Sequence, residues 1–223
     1  MHRRVDIEMQ ELRRDLLHMA SLAETSIGKA VRALVVRDSR LAEEVFRTED
    51  EINKLELAID DRCLRILALH APEASDLRFI TMALKTNSDL ERIGDQAVNI
   101  AERAIELLKE PPLKPLIDIP RMAELVQRML KDALDAFVHG DAVIARDVCR
   151  RDDQVDELDD QLFRELMTYM MQDSRAITRA MSLILISRHL ERVADHATNI
   201  AEEVIYMVQG KNIKHHAAPE PPG

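Results

Sequence analysis

The sequence contains few aromatic residues, few glycines and few prolines. Aromatic residues make up 3% of the 223 residues, and there are 5 glycines and 8 prolines. Leucine, alanine, glutamate and arginine, which favour helices, are abundant instead. This composition is typical of a chain built from long helices. We therefore predict an all-α protein.

The chain also has only two cysteines. Cys63 and Cys149 lie far apart in the sequence and form no CxxC motif. This pattern excludes a disulfide framework. We expect both thiols to be reduced, buried and inert.

Long apolar runs are missing as well. No stretch of about 18 apolar residues occurs, so we predict no membrane-spanning helix. Near the N-terminus, Asp6, Glu8 and Glu11 interrupt the apolar region that a signal peptide would need. We therefore expect a cytoplasmic protein.

Positive charge is in deficit, because the formal net charge is −10. A general nucleic-acid binder needs a basic face that releases counterions from phosphates, so this charge argues against that class. Binding of cations or of basic protein surfaces remains compatible with it.

One acidic stretch occurs twice, one hundred residues apart. Residues 90–102 read LERIGDQAVNIAE and residues 190–202 read LERVADHATNIAE, so nine of the thirteen positions are identical. Each copy lies in a long helical pattern and places Glu and Asp four residues apart. An internal repeat of this length indicates two related halves.

The apolar seam of the helix before each copy repeats too, and four prolines separate the halves. Leu41, Val45, Ile52, Leu55, Ile59 and Ile66 recur 103 residues later as Ile144, Val148, Val155, Leu158, Leu162 and Tyr169. We predict a three-helix unit over residues 1–110, a proline-rich linker over 111–120, a second three-helix unit over 121–210 and a disordered tail over 211–223. Six long helices would then form two tandem three-helix bundles related by pseudo-twofold symmetry.

Rows of polar and acidic residues follow the margins of the apolar seams. The row Glu49, Asn53, Glu56, Asp60 in the second helix corresponds to Asp152, Asp156, Asp159, Phe163 in the fifth. If neighbouring helices pack together, the first row faces Glu91 and Asp95, and the second faces Glu191 and Asp195. Like charges four residues apart repel, and carboxylates at an apolar margin lose solvation. A hard cation such as Mg²⁺, Mn²⁺, Ca²⁺ or iron would reverse that cost.

Other interpretations of the acidic rows stay open. Arg92 and Arg192 stand three residues before Asp95 and Asp195, where ordinary surface ion pairs would form. A general acid/base pair is a third interpretation, but no Ser, Cys or His nucleophile accompanies both copies. Because Gln96 stands at the position of His196, we expect this histidine to be an outward or tolerated residue and not a shared ligand or base.

The sequence resembles the PhoU family, bacterial accessory regulators of phosphate uptake. The resemblance rests on ASDLRFI at residues 74–80, LMTYMMQDSRAI at residues 166–177 and the two copies of the acidic stretch. It covers nearly the whole chain outside its tail and implies the same fold of two three-helix bundles. It also implies metal binding by paired acidic motifs, with Glu91 and Asp95 opposite Glu49 and Asn53, and Glu191 and Asp195 opposite Asp152 and Asp156. Asn53 departs from the acidic pattern, so the first site would be the weaker one.

The resemblance further implies a role and partners. We expect a cytoplasmic negative regulator of phosphate uptake and of the phosphate-starvation response, carrying iron, manganese or magnesium. It would act between a phosphate ABC transporter and a sensor histidine kinase, as a homodimer, reaching the membrane only through these partners. Direct nucleic-acid binding and catalysis are not expected.

Two alternatives to this function remain. One is a metal-free helical scaffold, and the other is a metal-dependent bundle enzyme. Di-iron bundle enzymes use Glu-x-x-His ligands, and the sequence has no such motif. His215 and His216 are expected in a solvated tail. Methionines 167, 170 and 171 are expected in a core stripe around Tyr169. The alternative is that they are exposed and adapt to partner proteins.

Overall fold

The computed structural model describes residues 2–70, 72 and 74–210. Six long helices account for nearly all of this part of the chain. They are α1 (His2–Val36), α2 (Ser39–His70), α3 (Ala74–Leu108), α4 (Asp118–His139), α5 (Ala142–Gln172) and α6 (Ile177–Gln209), with a short 3₁₀ turn at Ser174–Ala176 before α6. The all-α prediction is confirmed. The predicted tail at 211–223, with its two histidines, lies outside the described residues.

The helices pack as two bundles of three. Helices α1, α2 and α3 contact one another, and so do α4, α5 and α6. The two bundles meet where α3 packs on α6 and α1 packs on α4. One continuous apolar core therefore runs through both halves.

The first and fourth helices end in the same way, at a residue with positive φ. Gly140 has φ 65° and Arg37, 103 residues earlier, has φ 57°. A left-handed conformation strains a residue with a Cβ, and the Arg37 guanidinium donates to the carbonyls of Leu108 and Glu110, both at 2.7 Å. These bonds cap the C-terminus of α3. The strained turn is thereby tied to the end of a neighbouring helix.

Aspartates start the helices that follow these turns. The Asp141 carboxylate accepts from the backbone N–H groups of Val143 at 2.8 Å and Ile144 at 3.1 Å. Asp38 accepts from the N–H of Arg40 at 3.0 Å. Such N-caps satisfy donors that have no partner inside the helix.

The fourth helix begins two residues before the predicted end of the linker. It starts at Asp118, so Pro120 lies in its first turn. Proline is tolerated there because the first backbone N–H groups of a helix have no intrahelical acceptor.

Two contacts where α3 crosses α6 display the pseudo-twofold relation. His196 Nδ1 lies 2.9 Å from Asp89 Oδ1, and His189 Nδ1 lies 2.8 Å from Gln96 Oε1. Positions 89 and 189 are equivalent in the repeat, and so are 96 and 196. The contact between positions 89 and 196 is therefore repeated between their counterparts, 189 and 96, as at an interface related by a twofold axis.

At the C-terminal end of α5, the buried residues differ from those predicted. Leu166 is fully buried, whereas Tyr169 is only half-buried. Met171 is 82% exposed and Met167 is 39% exposed. The expectation of a core methionine stripe around Tyr169 holds for Met170, which packs against the core. It was wrong for Met167 and Met171, because the buried face of α5 continues through Leu166 and rotates away from them.

Both cysteines are free, as expected, and Cys63 is buried. Burial is the main cause that raises the pKa of Cys63 to about 12 and that of Cys149 to about 11. Thiolate forms are therefore strongly disfavoured at neutral pH. Within the described part of the chain, no helix has the length and apolarity that a bilayer crossing requires.

A close contact sets the spacing of α2 and α3 beside the acidic stretch. A Cβ on Gly94 would lie 3.1 Å from Ile52 Cδ1 and 3.3 Å from its Cγ2. At the equivalent positions of the second half stand Ala194 and Val155. The second half has one more methyl group at the position of Gly94 and one fewer at the position of Ile52. The two helix pairs therefore fill similar volumes. This packing holds Asp95, the next residue after Gly94, against α2.

Candidate metal sites

In the first half, α2 and α3 bring their acidic residues together. Burial raises the pKa of Glu49, and the carboxylate of Asp95 raises it further because the two groups lie within hydrogen-bonding reach. Glu91 also acts on Glu49, and its own pKa is raised by burial and by Asp95. Asn53 Nδ2 lies 3.4 Å from Glu49 Oε1. The four residues named from the sequence therefore form one cluster.

The second half repeats this arrangement between α5 and α6. Burial first, then the charges of Asp195 and Asp156, raise the pKa of Asp152 to about 6. Burial and the charge of Asp195 also raise the pKa of Asp156 and of Glu191. Burial raises the pKa of Asp195 itself. Four carboxylates thus face one another at the position equivalent to the first cluster.

Arginines leave these clusters largely unneutralised. Among the described residues, no ion pair within 4 Å joins Arg92 or Arg192 to the clustered carboxylates, although each lowers the pKa of a nearby acid from a greater distance. Ordinary surface ion pairs therefore do not account for the acidic rows. Repulsion among the carboxylates remains in the structure.

Each cluster holds one carboxylate oxygen that lacks a partner. Glu49 Oε2 and Asp152 Oδ1 are buried and make no hydrogen bond within the described part of the chain, although the Thr198 hydroxyl lies close enough to Asp152 to lower its pKa. Buried polar atoms are almost always satisfied, so an unsatisfied carboxylate oxygen has to be explained. A cation bound at each cluster would satisfy the oxygen there.

The donor set fits a hydrated hard cation better than a closed protein cage. Across residues 2–70, 72 and 74–210, no three His, Cys, Asp or Glu side chains converge closely enough to hold an ion on their own. Mg²⁺ keeps several water ligands and is commonly bound by one or two carboxylates. Oxygen donors on two facing helices match that coordination, whereas structural zinc would need four protein ligands.

Other members of the acidic rows have structural roles instead. Asp159 accepts from the Ser187 hydroxyl at 2.7 Å and pairs with the Arg188 guanidinium at 2.9 Å. Asp60 accepts from Asn87 Nδ2 at 2.9 Å. These acids are already satisfied, which separates them from the candidate ligands. Asn87 and Ser187 are polar residues within an apolar seam. That position in the sequence could have predicted that each of them binds a polar partner.

The sequence also gave the wrong environment for His196. This histidine does not face outward, since its side chain is 18% exposed and contacts Asp89. It lies near enough to Glu91 and Asp195 for a protonated ring to lower the pKa of both. His196 of the second half therefore lies between the two clusters, beside α3.

Comparisons with known proteins point to one family. The family model described as "PhoU domain" matches residues 16–104 and 119–204. The "Phosphate-specific transport system accessory protein PhoU homolog" of Aquifex aeolicus is 48% identical over 208 residues, covering 93% of this chain and 94% of the relative. The crystal structure of PhoU from Pseudomonas aeruginosa superposes with a TM-score of 0.89 at 45% identity, covering 92% of this chain and 99% of that chain.

A more distant structure agrees with this. The crystal structure of "the phosphate transport system regulatory protein PhoU from Streptococcus pneumoniae" has a TM-score of 0.86 at 32% identity. It covers 94% of this chain and 99% of that chain. The similarity therefore extends over both halves and the linker between them.

Proposed function

The chain belongs to the PhoU family, and on that premise we propose that it is a non-enzymatic regulator of phosphate uptake. It lowers uptake and phosphate-starvation signalling when phosphate is ample. The observation that carries this proposal is the match to phosphate transport accessory proteins over 93% of the chain. The residues matched by the family model include both acidic clusters and most of both bundles.

We infer that its partners are a phosphate ABC transporter and a sensor histidine kinase. Relatives of this chain are named accessory proteins of the phosphate-specific transport system. The helices expose long faces suited to protein contacts, and the net charge of −10 disfavours a nucleic-acid partner. We place the protein in the cytoplasm as a homodimer that reaches the membrane through its partners.

A cation on each acidic cluster is the second part of the proposal. The first would be held by Glu91 and Asp95 with Glu49 and Asn53, and the second by Glu191 and Asp195 with Asp152 and Asp156. Support comes from the facing carboxylates and from the unsatisfied oxygens of Glu49 and Asp152. Mg²⁺, Mn²⁺ or iron would neutralise each cluster and tie together the two helices that carry it. The ion is thus assigned a structural and regulatory role and not a catalytic one.

Deletion of the gene in its own host tests the regulatory role. Cells without the protein should take up labelled phosphate faster at high external phosphate and should express a starvation reporter. The wild-type gene should restore low uptake and a silent reporter. Unchanged uptake and an unchanged reporter in the deletion strain would contradict the proposal.

The partners are tested separately by affinity capture from phosphate-replete cells. Tagged protein should recover transporter subunits and the kinase. Capture with a variant in which Asp156 and Asp195 are changed to Ala then shows whether partner binding requires the cation of the second cluster. The deletion experiment tests the regulatory role whether or not a cation is bound. Recovery of neither partner at high phosphate would contradict the adaptor role.

A further inference from the structure

The hairpin formed by α5 and α6 carries an exposed apolar face at its tip. Six large apolar side chains lie there with exposed fractions between 38% and 82%. We name this set the hairpin face: Phe163, Met167, Met171, Ile177, Met181 and Leu185. Scattered apolar residues are normal on a protein surface, but a contiguous group of this kind marks an interaction site.

Helix geometry places all six side chains along one groove. On each helix they recur at steps of four, which keeps them on one side. The contacts of Asp159 with Ser187 at 2.7 Å and with Arg188 at 2.9 Å fix the antiparallel register of α5 against α6. In that register the two stripes border the same outer groove, between the clustered carboxylates and the turn at residues 173–176.

The first half lacks this face, so the fold itself does not require it. The equivalent positions of α2 and α3 are Asp60, Leu64, Ala68, Leu77, Thr81 and Lys85. Three of these six residues are polar or charged. The apolar character of the face is therefore a property of the second half alone, although the two halves share one architecture.

Charge beside the hairpin face is negative on the α5 side. Asp153 and Asp160 are exposed along the same helix, about four and about two turns before Met167. The nearby Arg188 is already paired with Asp159. A partner bound to the hairpin face would therefore be attracted if it carries basic residues next to its apolar contacts.

We propose that the hairpin face binds an amphipathic helix of a partner protein, with an apolar stripe flanked by lysine and arginine. Flexible methionines adapt to the side chains of such helices, and an apolar groove with an acidic margin selects a basic amphipathic helix. The inference rests on the proposed adaptor role and assigns the surface through which it acts. Binding to a peptide is measured without cells, so it can fail while the phosphate-uptake experiment succeeds.

The test uses a synthetic helical peptide of about 18 residues, with leucines on one face and lysines on both flanks. Fluorescence anisotropy of the labelled peptide reports binding to the full chain. The variant combines Met181→Thr with Leu185→Lys, which copies Thr81 and Lys85 from the first half. Because Met181 and Leu185 are 44% and 38% exposed, α6 should tolerate polar side chains at both positions. Circular dichroism checks that folding is unchanged.

The control variant is Leu57→Lys with Leu64→Thr, which removes two exposed leucines of α2 that are 68% and 61% exposed. We expect the face variant to bind at least about tenfold more weakly and the control variant to bind like the wild type. A peptide with glutamates on its flanks should also bind at least about tenfold more weakly. Equal affinity of the wild type and the face variant would overturn the proposal.

Two further measurements identify a different occupant. If the wild type forms dimers in sedimentation velocity and the face variant is a monomer, a second copy covers the face and the partner helix is excluded. If the face binds vesicles of anionic phospholipid but not the lysine peptide, a membrane surface is the ligand and the proposal is again overturned.

Discussion

Glu49 and Asp152 occupy equivalent positions in the two halves, and each holds one buried carboxylate oxygen that makes no hydrogen bond to a described residue. A single orphaned oxygen would be a local defect, but two at matching positions belong to the repeated design. Both residues also have a raised pKa, with burial as the first cause and a facing aspartate of the next helix as the second. The repeat has kept an unfavourable charge arrangement in both copies, which the binding of a cation would make favourable.

Replacement of Asp152 by Asn should stabilise the metal-free protein. The pKa of Asp152 is raised from 3.8 to about 6, so the folded state binds this proton more tightly than the unfolded state. Its ionisation therefore destabilises the fold progressively as the pH rises from about 4 to about 6, and the full cost is present above about 6. We expect Asp152→Asn to raise the free energy of unfolding by about 1 kcal/mol at pH 7, a figure reduced because the half-buried group is partly screened by water. Urea unfolding in the presence of a chelator measures it.

The pH dependence of that gain is its control. The difference between Asp152→Asn and wild type should be near zero at about pH 4 and should grow until about pH 6. Glu157→Gln removes an exposed charge from the same helix and should change stability by less than about 0.5 kcal/mol. A gain that is equal at pH 4 and pH 7 would show that the charge of Asp152 is not its cause.

Protons should compete with the cation at the second cluster. Since Asp152, Asp156, Glu191 and Asp195 all have raised pKa values, protonation begins at a higher pH than for ordinary carboxylates. We expect the affinity for Mn²⁺ to fall steeply as the pH is lowered through about 6. Calorimetric titration between pH 5 and 7.5 measures the effect. Constant affinity across this range would place the ion elsewhere.

Asn53 should make the first cluster the weaker of the two. Its amide oxygen is a neutral donor at the position that Asp156 holds in the second half. Asn53→Asp should therefore increase the Mn²⁺ affinity of the first cluster, by about tenfold if one carboxylate contributes about 1.4 kcal/mol. The reciprocal change, Asp156→Asn, should weaken the second cluster. Titration of both variants decides the point, and a fall in affinity with Asn53→Asp would contradict it.

The contact of Gly94 with Ile52 predicts a compensating pair of substitutions. Gly94→Ala alone should destabilise the protein by about 1 kcal/mol, because overpacking against Ile52 outweighs the better helix propensity of alanine. With Ile52→Val added, the pair copies Ala194 and Val155, and the cost should vanish. A double-mutant cycle by urea unfolding measures the coupling. Additive free energies would show that the two side chains do not share this space.

Much of the fold could be predicted from the sequence because helices have a fixed period and recognisable ends. The seam from Leu41 to Ile66 marks a face that the structure buries over most of its length, and Asp141 and Gly210 are residue types that cap helix ends. Pro120 misled the boundary of α4, since proline ends a helix interior but is tolerated in a first turn. Local sequence patterns therefore predicted the presence of each helix better than the residues at which it begins and ends.

The contacts between the halves could not be predicted in the same way. His189 contacts Gln96 and His196 contacts Asp89, and each pair is separated by about one hundred residues in the sequence. The periodicity of a single helix does not predict such pairs. Likewise, the exposure of Met171 depends on where the bundle ends and not on residue type. The acidic clusters were predictable in position because they repeat, but the ion itself is not specified by residue spacing.

The most direct test of the account is the metal content of the protein after removal of two candidate ligands. Purified wild type, equilibrated with Mn²⁺ and then dialysed, should retain metal in both halves. The double variant Asp156→Ala with Asp195→Ala should lose the metal of the second half and keep its helicity by circular dichroism. A control with Asp147→Ala and Glu157→Ala, which changes two exposed acids of α5, should match the wild type. Metal content in the double variant equal to that of the wild type would contradict the assignment of the second cluster as an ion site.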